Sequence, residues 1–351
     1  VQLDVELKKS FKDFTLDVAF SLSSPRTGVF GPSGSGKSTI MNLMSGLELP
    51  DSGYIRLGDT VLFDAKRKIN VKPDQRNVGV VFQHAHLFPH MSVKRNLFYG
   101  YKRVKPENRL IDPEGLFKVL GVTQLLSRDV ATLSGGERQR IALARTVLSN
   151  PRLILMDEPL SALDEGHKFQ IIPYLKKVFN RYGIPMIFIS HSVLEMRMMT
   201  DEVLVVKQGC IHQHSETEEL VRKSWGSGLE GYVNLLNLGG ASPDKDLFRY
   251  QWGGINFILT EPAEGEENLF ELDSRDILLF KRHPEATSAR NLLQCTVVDI
   301  YGSGNRVRVE LACGDEHLIA QIVPESVREL GIEKGAMVVA AIKASAFKKI
   351  F

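Results

Sequence analysis

The run Gly31-Pro32-Ser33-Gly34-Ser35-Gly36-Lys37-Ser38-Thr39 leaves few folds open to this chain. Its glycines suit neither a helix nor a strand. Yet the β-prone Thr27–Phe30 precedes it, and Ile40, Met41, Leu43, Met44 and Leu47 follow at helical spacing. A strand, a glycine-rich turn and a helix, in that order, build a cradle for phosphate. Without Cβ atoms the backbone N–H groups can turn inward around an anion, and the helix points its N-terminus at the same place. The spacing fits G-x-x-x-x-G-K-[ST], so Lys37 is expected on the β- and γ-phosphates of a nucleotide and the Ser38 hydroxyl on Mg²⁺. An ordinary glycine turn before a helix is the plain alternative, and the strand before and helix after weigh against it.

Leu153–Met156 is a short, continuously apolar run, the mark of a strand buried on both faces. It ends on Asp157, a carboxylate placed to hold Mg²⁺. Glu158 beside it is the candidate general base for an attacking water. Met186–Ile189 repeats the pattern before Ser190-His191, and Val203–Val206 gives a third such strand. Strands alternating with helices predict a mostly parallel sheet covered on both faces. Ser134-Gly135-Gly136-Glu137 has the S-x-x-E spacing of a capping box. Ser134 then caps the helix carrying Ile141 and Ala144. Gly135-Gly136 would also expose N–H groups and a positive dipole end to a phosphate, and the two roles are compatible.

With 351 residues the chain has room for two domains. A net charge of +2 gives no case for nucleic acid as a partner. No apolar run approaches the ~18 residues of a membrane span, and the start VQLDVELKKSF, with Asp4 and Glu6 and no apolar core, does not read as a signal peptide. Cys210, Cys295 and Cys313 are odd in number and scattered, which reads as reduced thiols in a cytoplasmic protein. The α/β unit is expected over residues 1–228, with a helical subdomain inserted at about 84–135. Within it, Asp112-Pro113 starts a helix with apolar Leu116, Phe117 and Leu120, and Gly121 ends it. From Gly226 the chain becomes loop-rich and then turns to period two. In Arg306–Leu311, apolar Val307, Val309 and Leu311 alternate with Arg306, Arg308 and Glu310. Met337–Ile342 is a late apolar strand. Residues 229–351 are therefore expected to form a small, all-β, antiparallel, barrel-like domain.

Gly31–Thr39, Leu133–Arg140 (LSGGERQR), Leu153–Pro159, Ser161-Ala162-Leu163-Asp164 and a histidine after a strand occur in one order across about 225 residues. Together they resemble the ATP-binding cassette (ABC) ATPases, which have a P-loop NTPase fold. The resemblance implies ATP and Mg²⁺ as cofactors and a head-to-tail homodimer. Gly31, Pro32, Ser33, Gly34, Ser35, Gly36, Lys37, Ser38 and Thr39 would hold the chain's own ATP. Ser134, Gly135, Gly136 and Glu137, the signature segment, would close over the partner's. By position Glu158, His191 and Gln83 are the catalytic set, Ser38, Gln83 and Asp157 the Mg²⁺ set, and Asp164 belongs to the D-loop. The family often stacks adenine on an aromatic residue of the first strands; Phe11 and Phe14 are both candidates here.

Val78–Gly100 contains Q-x-x-x-L-F-P-H at Gln83–His90, similar to importer ATPases, in which a permease helix docks beside the Q-loop. His84, Leu87 and Phe88 would then face the partner or pack within the subdomain. Asn96–Gly100, Pro173-Tyr174-Leu175, Ile184-Pro185-Met186 and Ser190-His191-Ser192 look like the molybdate-import ATPases. Ser288-Ala289-Arg290-Asn291 and Ile342-Lys343-Ala344-Ser345, at about 286–351, resemble the OB-like Mop/TOBE barrel. That likeness implies a tetrahedral oxyanion held by Ser288, Arg290, Lys343 and Ser345, with molybdate or tungstate as regulator; a barrel kept for dimer contacts is the other reading. The implied protein is the ATP-hydrolysing subunit of a molybdate or tungstate importer, peripheral on the cytoplasmic face of the cell membrane. Its implied partners are two integral-membrane permease subunits and, indirectly, an extracytoplasmic molybdate-binding protein. A sulfate or ferric-iron importer ATPase, or a soluble non-transport ABC ATPase, is the alternative.

Overall fold

The computed structural model describes residues 2–161, 165–224, 232–262, 268–303 and 305–350, so Asp164 lies outside the described residues. Two units separate, Val1–Arg222 and Lys223–Phe351. The first opens with β1 (Leu3–Ser10), β2 (Thr15–Leu22), β3 (Arg26–Phe30), α1 (Lys37–Ser45), β4 (Ser52–Leu57), β5 (Thr60–Asp64), β6 (Ile69–Asn70) and β7 (Val78–Val81). It continues through α2 (Val93–Tyr101), α3 (Pro113–Val119), α4 (Gly135–Leu148), β8 (Leu153–Asp157), α5 (Glu165–Tyr182), β9 (Met186–Ser190), α6 (Val193–Met199), β10 (Glu202–Lys207), β11 (Cys210–Glu216) and α7 (Thr217–Ser224).

The expected sheet is present, in the order β11-β10-β3-β9-β8-β7. Every pairing from β10 to β7 is parallel, and β11 is an antiparallel edge. A second sheet, β2-β1-β4-β5-β6, is entirely antiparallel. Period two in β2 sends Leu16, Val18, Phe20 and Leu22 inward. They share one core with Ile40, Leu43 and Met44 of α1 and with Leu155, Ile187 and Leu204 of the parallel sheet. One face of the parallel sheet is thus covered by α1 and the antiparallel sheet, not by helices alone. On the other face α4 packs on β7, and α6 on β3 and β9. Gly28 permits that approach, because a Cβ there would lie 2.5 Å from Met196 Sδ.

Helix α1 stops earlier than its apolar spacing implies. Gly46 is left-handed at φ 81° and its N–H returns to Leu43 O. Arg76 is 1% exposed and donates to Leu43 O (2.9 Å), Met44 O (2.8 Å), Val71 O (2.8 Å) and Asn70 Oδ1 (3.0 Å). It satisfies two of the carbonyls that a helix end leaves open. Any Cβ at Gly46 would meet the Arg76 Nε at 2.6 Å. Leu47 therefore falls outside the helix and is 56% exposed. In the inserted helical stretch, Asp112 Oδ2 accepts from Gly115 N (2.7 Å), Pro113 begins α3, and Gly121 follows it at φ 59°.

The second unit comprises β12 (Val233–Asn237), β13 (Gly239–Asp244), β14 (Leu247–Trp252), β15 (Ile255–Leu259), β16 (Leu269–Asp273), β17 (Ile277–Phe280), β18 (Asn291–Ser303) and β19 (Arg306–Cys313). After these come β20 (Glu316–Ile322), α8 (Pro324–Leu330), β21 (Met337–Ile342) and β22 (Phe347–Lys349). All pairings are antiparallel, in sheets β12-β16-β22, β13-β14-β15 and β17-β21-β18-β19-β20. One core holds Tyr250, Phe257, Phe270 and Phe347, and a bulge between Val297 and Asp299 bends the long β18. The curled antiparallel sheet fits an OB-like barrel.

Two expectations for this unit need correction. Val307, Val309 and Leu311 do face the core, but Arg308 and Glu310 on the opposite face are also buried. Glu310 accepts from Tyr301 Oη (3.0 Å) and meets His317 Nδ1 (3.2 Å). Burial, then the bond to Glu310, pushes the Tyr301 hydroxyl up to about 12. Cys295 and Cys313 are disulfide-bonded, not reduced. The register Thr296↔Ala312 sets them opposite each other with Cα atoms 4.6 Å apart, and both are buried. Their spacing of 18 residues carries no pairing signal until that register is known. Cys210 is free and exposed.

Candidate nucleotide site

Parallel strands end together, and their carboxyl ends collect this site. Phe30 is level with Ser190, Ile189 with Asp157, and Met156 with Val81. Gly31, His191, Glu158 and Gln83 therefore leave the same edge of one sheet. The turn after β3 needs its glycines. Gly34 and Gly36 have φ of 77° and 106°, and a Cβ on Gly31 would lie 2.2 Å from Val206 O. Phe14 lies against the loop, its Cζ 2.9 Å from where a Gly36 Cβ would stand. Phe11 is 40% exposed, with its ring centroid 6.0 Å from that of Phe14.

Lys37 is 5% exposed, and its Nζ donates to Gly31 O and Pro32 O, both at 2.9 Å. Burial pushes its pKa down, against the pull of Glu158 and Asp157. Asp157 is pushed the other way. Burial raises its pKa, Glu158 adds to the rise, and Ser38 and Lys37 oppose it. Among the described residues, two buried oxygens here, Ser35 Oγ and Asp157 Oδ1, have no hydrogen-bond partner. Buried polar atoms are almost always satisfied. A buried carboxylate with one orphaned oxygen, its charge favoured by the Ser38 hydroxyl and by Lys37, fits a hydrated divalent cation with phosphate beside it.

Glu158 has φ 42°, an unusual value for a residue with a Cβ. Its N–H donates to Ile189 O (2.9 Å), and its carbonyl accepts from Ser161 N (3.1 Å) and Ser161 Oγ (2.8 Å). Such strain costs about 1–3 kcal/mol and persists where the surroundings over-determine it. It aims the carboxylate so that Oε1 lies 3.2 Å from His191 Nδ1.

Lys37, Ser38, Asp157, Glu158 and His191 are thus brought together. Gln83 shares their sheet edge, but among the described residues no hydrogen bond joins it to Asp157 or Glu158. It is exposed and lines a groove with His84, His86, Leu87, Val130 and Arg138. Ser134 and Glu137 form the full capping box of α4: Ser134 Oγ accepts from Glu137 N (3.2 Å), and Glu137 Oε2 accepts from Ser134 N (2.8 Å). The Ser134 N–H is the chief reason the Glu137 carboxyl lies below its ordinary range. Among the described residues no hydrogen bond or ion pair links this segment to Gly31–Thr39.

In the second unit, Asn291 pairs with Ile342, so Arg290 and Lys343 flank one end of the β18–β21 ladder. Ser288, Arg290, Lys343 and Ser345 are all exposed there. The buried member is Asn291, whose Oδ1 accepts from Ile258 N (2.6 Å) and whose Nδ2 donates to Ile258 O (2.9 Å).

Sequence reasoning missed the residues that hold these parts in place. Arg145 of α4 donates to His86 O at 3.1 Å and stacks over Phe88 at 5.0 Å. Asn96 is fully buried, accepting from Phe88 N (2.8 Å) and donating to Phe88 O (3.1 Å). A lone polar residue inside an apolar helical face was the available signal for both.

Comparison with known proteins now adds identity. An ABC transporter family model matches residues 16–161, and a TOBE domain model matches 287–348. The molybdenum import ATP-binding protein of Mannheimia succiniciproducens is 36% identical, covering 98% of this chain and 99% of the relative. That of Brucella abortus is 35% identical over 97% and 96%. Among solved structures, cbiO1 from Clostridium perfringens, part of the ABC transporter complex cbiONQ, aligns with a TM-score of 0.55 and 26% identity, covering 63% of this chain and 91% of that one. The dimeric ATP-binding cassette MJ0796, bound to ADP and Pi, aligns with a TM-score of 0.51 at 24% identity, covering 61% and 98%, a likeness of fold. Similarity of this extent over nearly the whole length shows that the chain belongs to the family of molybdenum import ATP-binding proteins, ABC transporter ATPases, and carries a TOBE domain behind its ATPase unit.

Proposed function

We propose that this chain is the ATP-hydrolysing subunit of a membrane importer for molybdate or tungstate. The observation that carries the chemistry is the convergence of Lys37, Asp157, Glu158 and His191 on one sheet edge, with Asp157 Oδ1 buried and unpartnered among the described residues. The substrate class rests on full-length similarity to molybdenum import proteins. No helix among the described residues is long and apolar enough to cross a membrane. By likeness to the molybdenum import relatives, this subunit's partners are proposed as two integral-membrane permeases fed by an extracytoplasmic binding protein, with the chain peripheral on the cytoplasmic face.

In this reading the N–H groups of Gly31–Thr39 bind the β- and γ-phosphates. Lys37 exchanges its bonds to Gly31 O and Pro32 O for phosphate oxygens. Ser38, Asp157 and Gln83 would hold Mg²⁺, which would supply charge neutralisation to the phosphates. Glu158 takes the proton from the water whose oxygen bonds to the γ-phosphorus as the bond to the ADP oxygen breaks. His191 donates to the γ-phosphate. Ser134, Gly135, Gly136 and Glu137 serve the ATP of a second copy, with Asp164 across the same homodimer interface. Residues 1–228 form the motor and 229–351 the regulator, in which Ser288, Arg290, Lys343 and Ser345 supply hydroxyl and charge-assisted donors to a tetrahedral dianion.

The test is ATP hydrolysis by the reconstituted complex against molybdate, tungstate and sulfate, each with its binding protein. Stimulation by molybdate or tungstate is expected. Stimulation by sulfate alone would overturn the substrate assignment.

A further inference from the structure

We infer that Glu195, braced by Lys168, is a positioning residue for hydrolysis that acts through His191; this rests on the catalytic reading of His191 given above. Glu195 sits in the first turn of α6 and is 7% exposed. Its Oε2 accepts from Ser190 Oγ at 2.6 Å, and its Oε1 accepts from Lys168 Nζ at 3.0 Å. Ser190 Oγ in turn accepts from Ser192 N (3.0 Å), and Ser192 Oγ accepts from Glu195 N (3.3 Å). These bonds close a ring around one residue, His191, through both of its chain neighbours.

The imidazole itself is little packed. Its side chain is 58% exposed, and among the described residues its polar contact is the 3.2 Å approach to Glu158 Oε1. Its place is therefore set by the backbone turn, and the turn is set by the Glu195 carboxylate. Lys168 extends the brace to α5, the helix that follows the Asp157–Ser161 connection carrying Glu158. A buried carboxylate is expensive unless paired and hydrogen-bonded. Capping does not require it, since Ser192 already caps α6. The arrangement makes sense as a strut that fixes the distance between the general base and the histidine across two different strand ends.

The experiment measures kcat and KM for MgATP with the full chain, for the wild type, Glu195→Gln, Lys168→Met, His191→Ala and Glu195→Gln/His191→Ala, each with its Tm. Glu195→Gln is expected to lower kcat by about tenfold to a hundredfold, the scale of a misplaced catalytic group, with KM within about twofold of the wild type. Lys168→Met, on the less buried side of the pair, is expected to reproduce the kcat loss in part, and it serves if Glu195→Gln folds poorly. In the His191→Ala background Glu195→Gln is expected to lower the residual kcat by less than about twofold, because its effect runs through the missing ring. Equal losses in both backgrounds would overturn the inference. So would a lowered Tm with unchanged kcat per folded molecule, which marks a structural role alone. A wild-type kcat in His191→Ala would overturn the catalytic reading of His191 itself, and the inference with it.

Discussion

The end of the parallel sheet and the end of the β18–β21 ladder both gather polar side chains, but they are prepared in opposite ways. At the first, Lys37 is buried against carbonyls, Asp157 and Ser35 hold oxygens with no partner among the described residues, and Glu158 is strained at φ 42°. At the second, Ser288, Arg290, Lys343 and Ser345 are exposed, and the buried Asn291 is satisfied by the neighbouring strand. Free energy has been invested in the first site before any ligand arrives, as preorganised catalysis requires. The second carries no such investment, so an oxyanion there would have to order its own ligands.

The largest effect that can break this contrast is at Glu158. Glu158→Gln is expected to lower ATP turnover by about 10²–10⁴-fold while nucleotide binding survives, read by steady-state hydrolysis and by titration of MgATP. Near-normal turnover would remove Glu158 as the base. Next is Lys343→Ala, expected to leave basal hydrolysis unchanged and to weaken molybdate binding to the full chain by about tenfold or more, the scale of one charge-assisted hydrogen bond. No heat of binding for the wild type with molybdate or tungstate would leave the ladder end without a ligand. Ser134→Ala is expected to lose about 0.5–2 kcal/mol of stability by removing the cap of α4, measured by urea unfolding.

The smallest effect concerns Asp157. Its folded pKa lies above the ordinary aspartate value of 3.8, chiefly through burial. The ionised form is therefore disfavoured by folding, and stability falls as pH rises from the unfolded value through the folded one. Asp157→Asn is expected to raise the Tm of the ligand-free protein at neutral pH, with the gain vanishing below pH 3.8. The same variant is expected to lose Mg²⁺-dependent nucleotide binding. A lowered Tm at pH 7 would mean the site is not strained in the way its orphaned oxygen implies.

The parts legible in the sequence were those fixed by local chemistry. Gly34 and Gly36 had to be glycine, Ser134 and Glu137 announced their own reciprocal bonds, and apolar runs marked β8, β9 and β10. Pairing across the chain was not legible. The antiparallel sheet beside α1, the apposition of Cys295 and Cys313, and the burial of Glu310 all depend on strand register, which no local pattern records. Buried polar anchors were hidden for a related reason. Arg76, Arg145 and Glu195 look like surface residues until the carbonyls and hydroxyls they serve are brought to them from other elements.

Arg76 has one more property. Its acceptors are three main-chain carbonyls and one amide oxygen, with no carboxylate in the set, and a guanidinium does not give up its proton in a protein. Neither side of this joint can titrate. The tail of the phosphate-facing helix and the chain leading into β7 are riveted together across the whole pH range in which the unit is folded. Acid or base can alter the charges around Gln83, but it cannot loosen the strand from which Gln83 emerges.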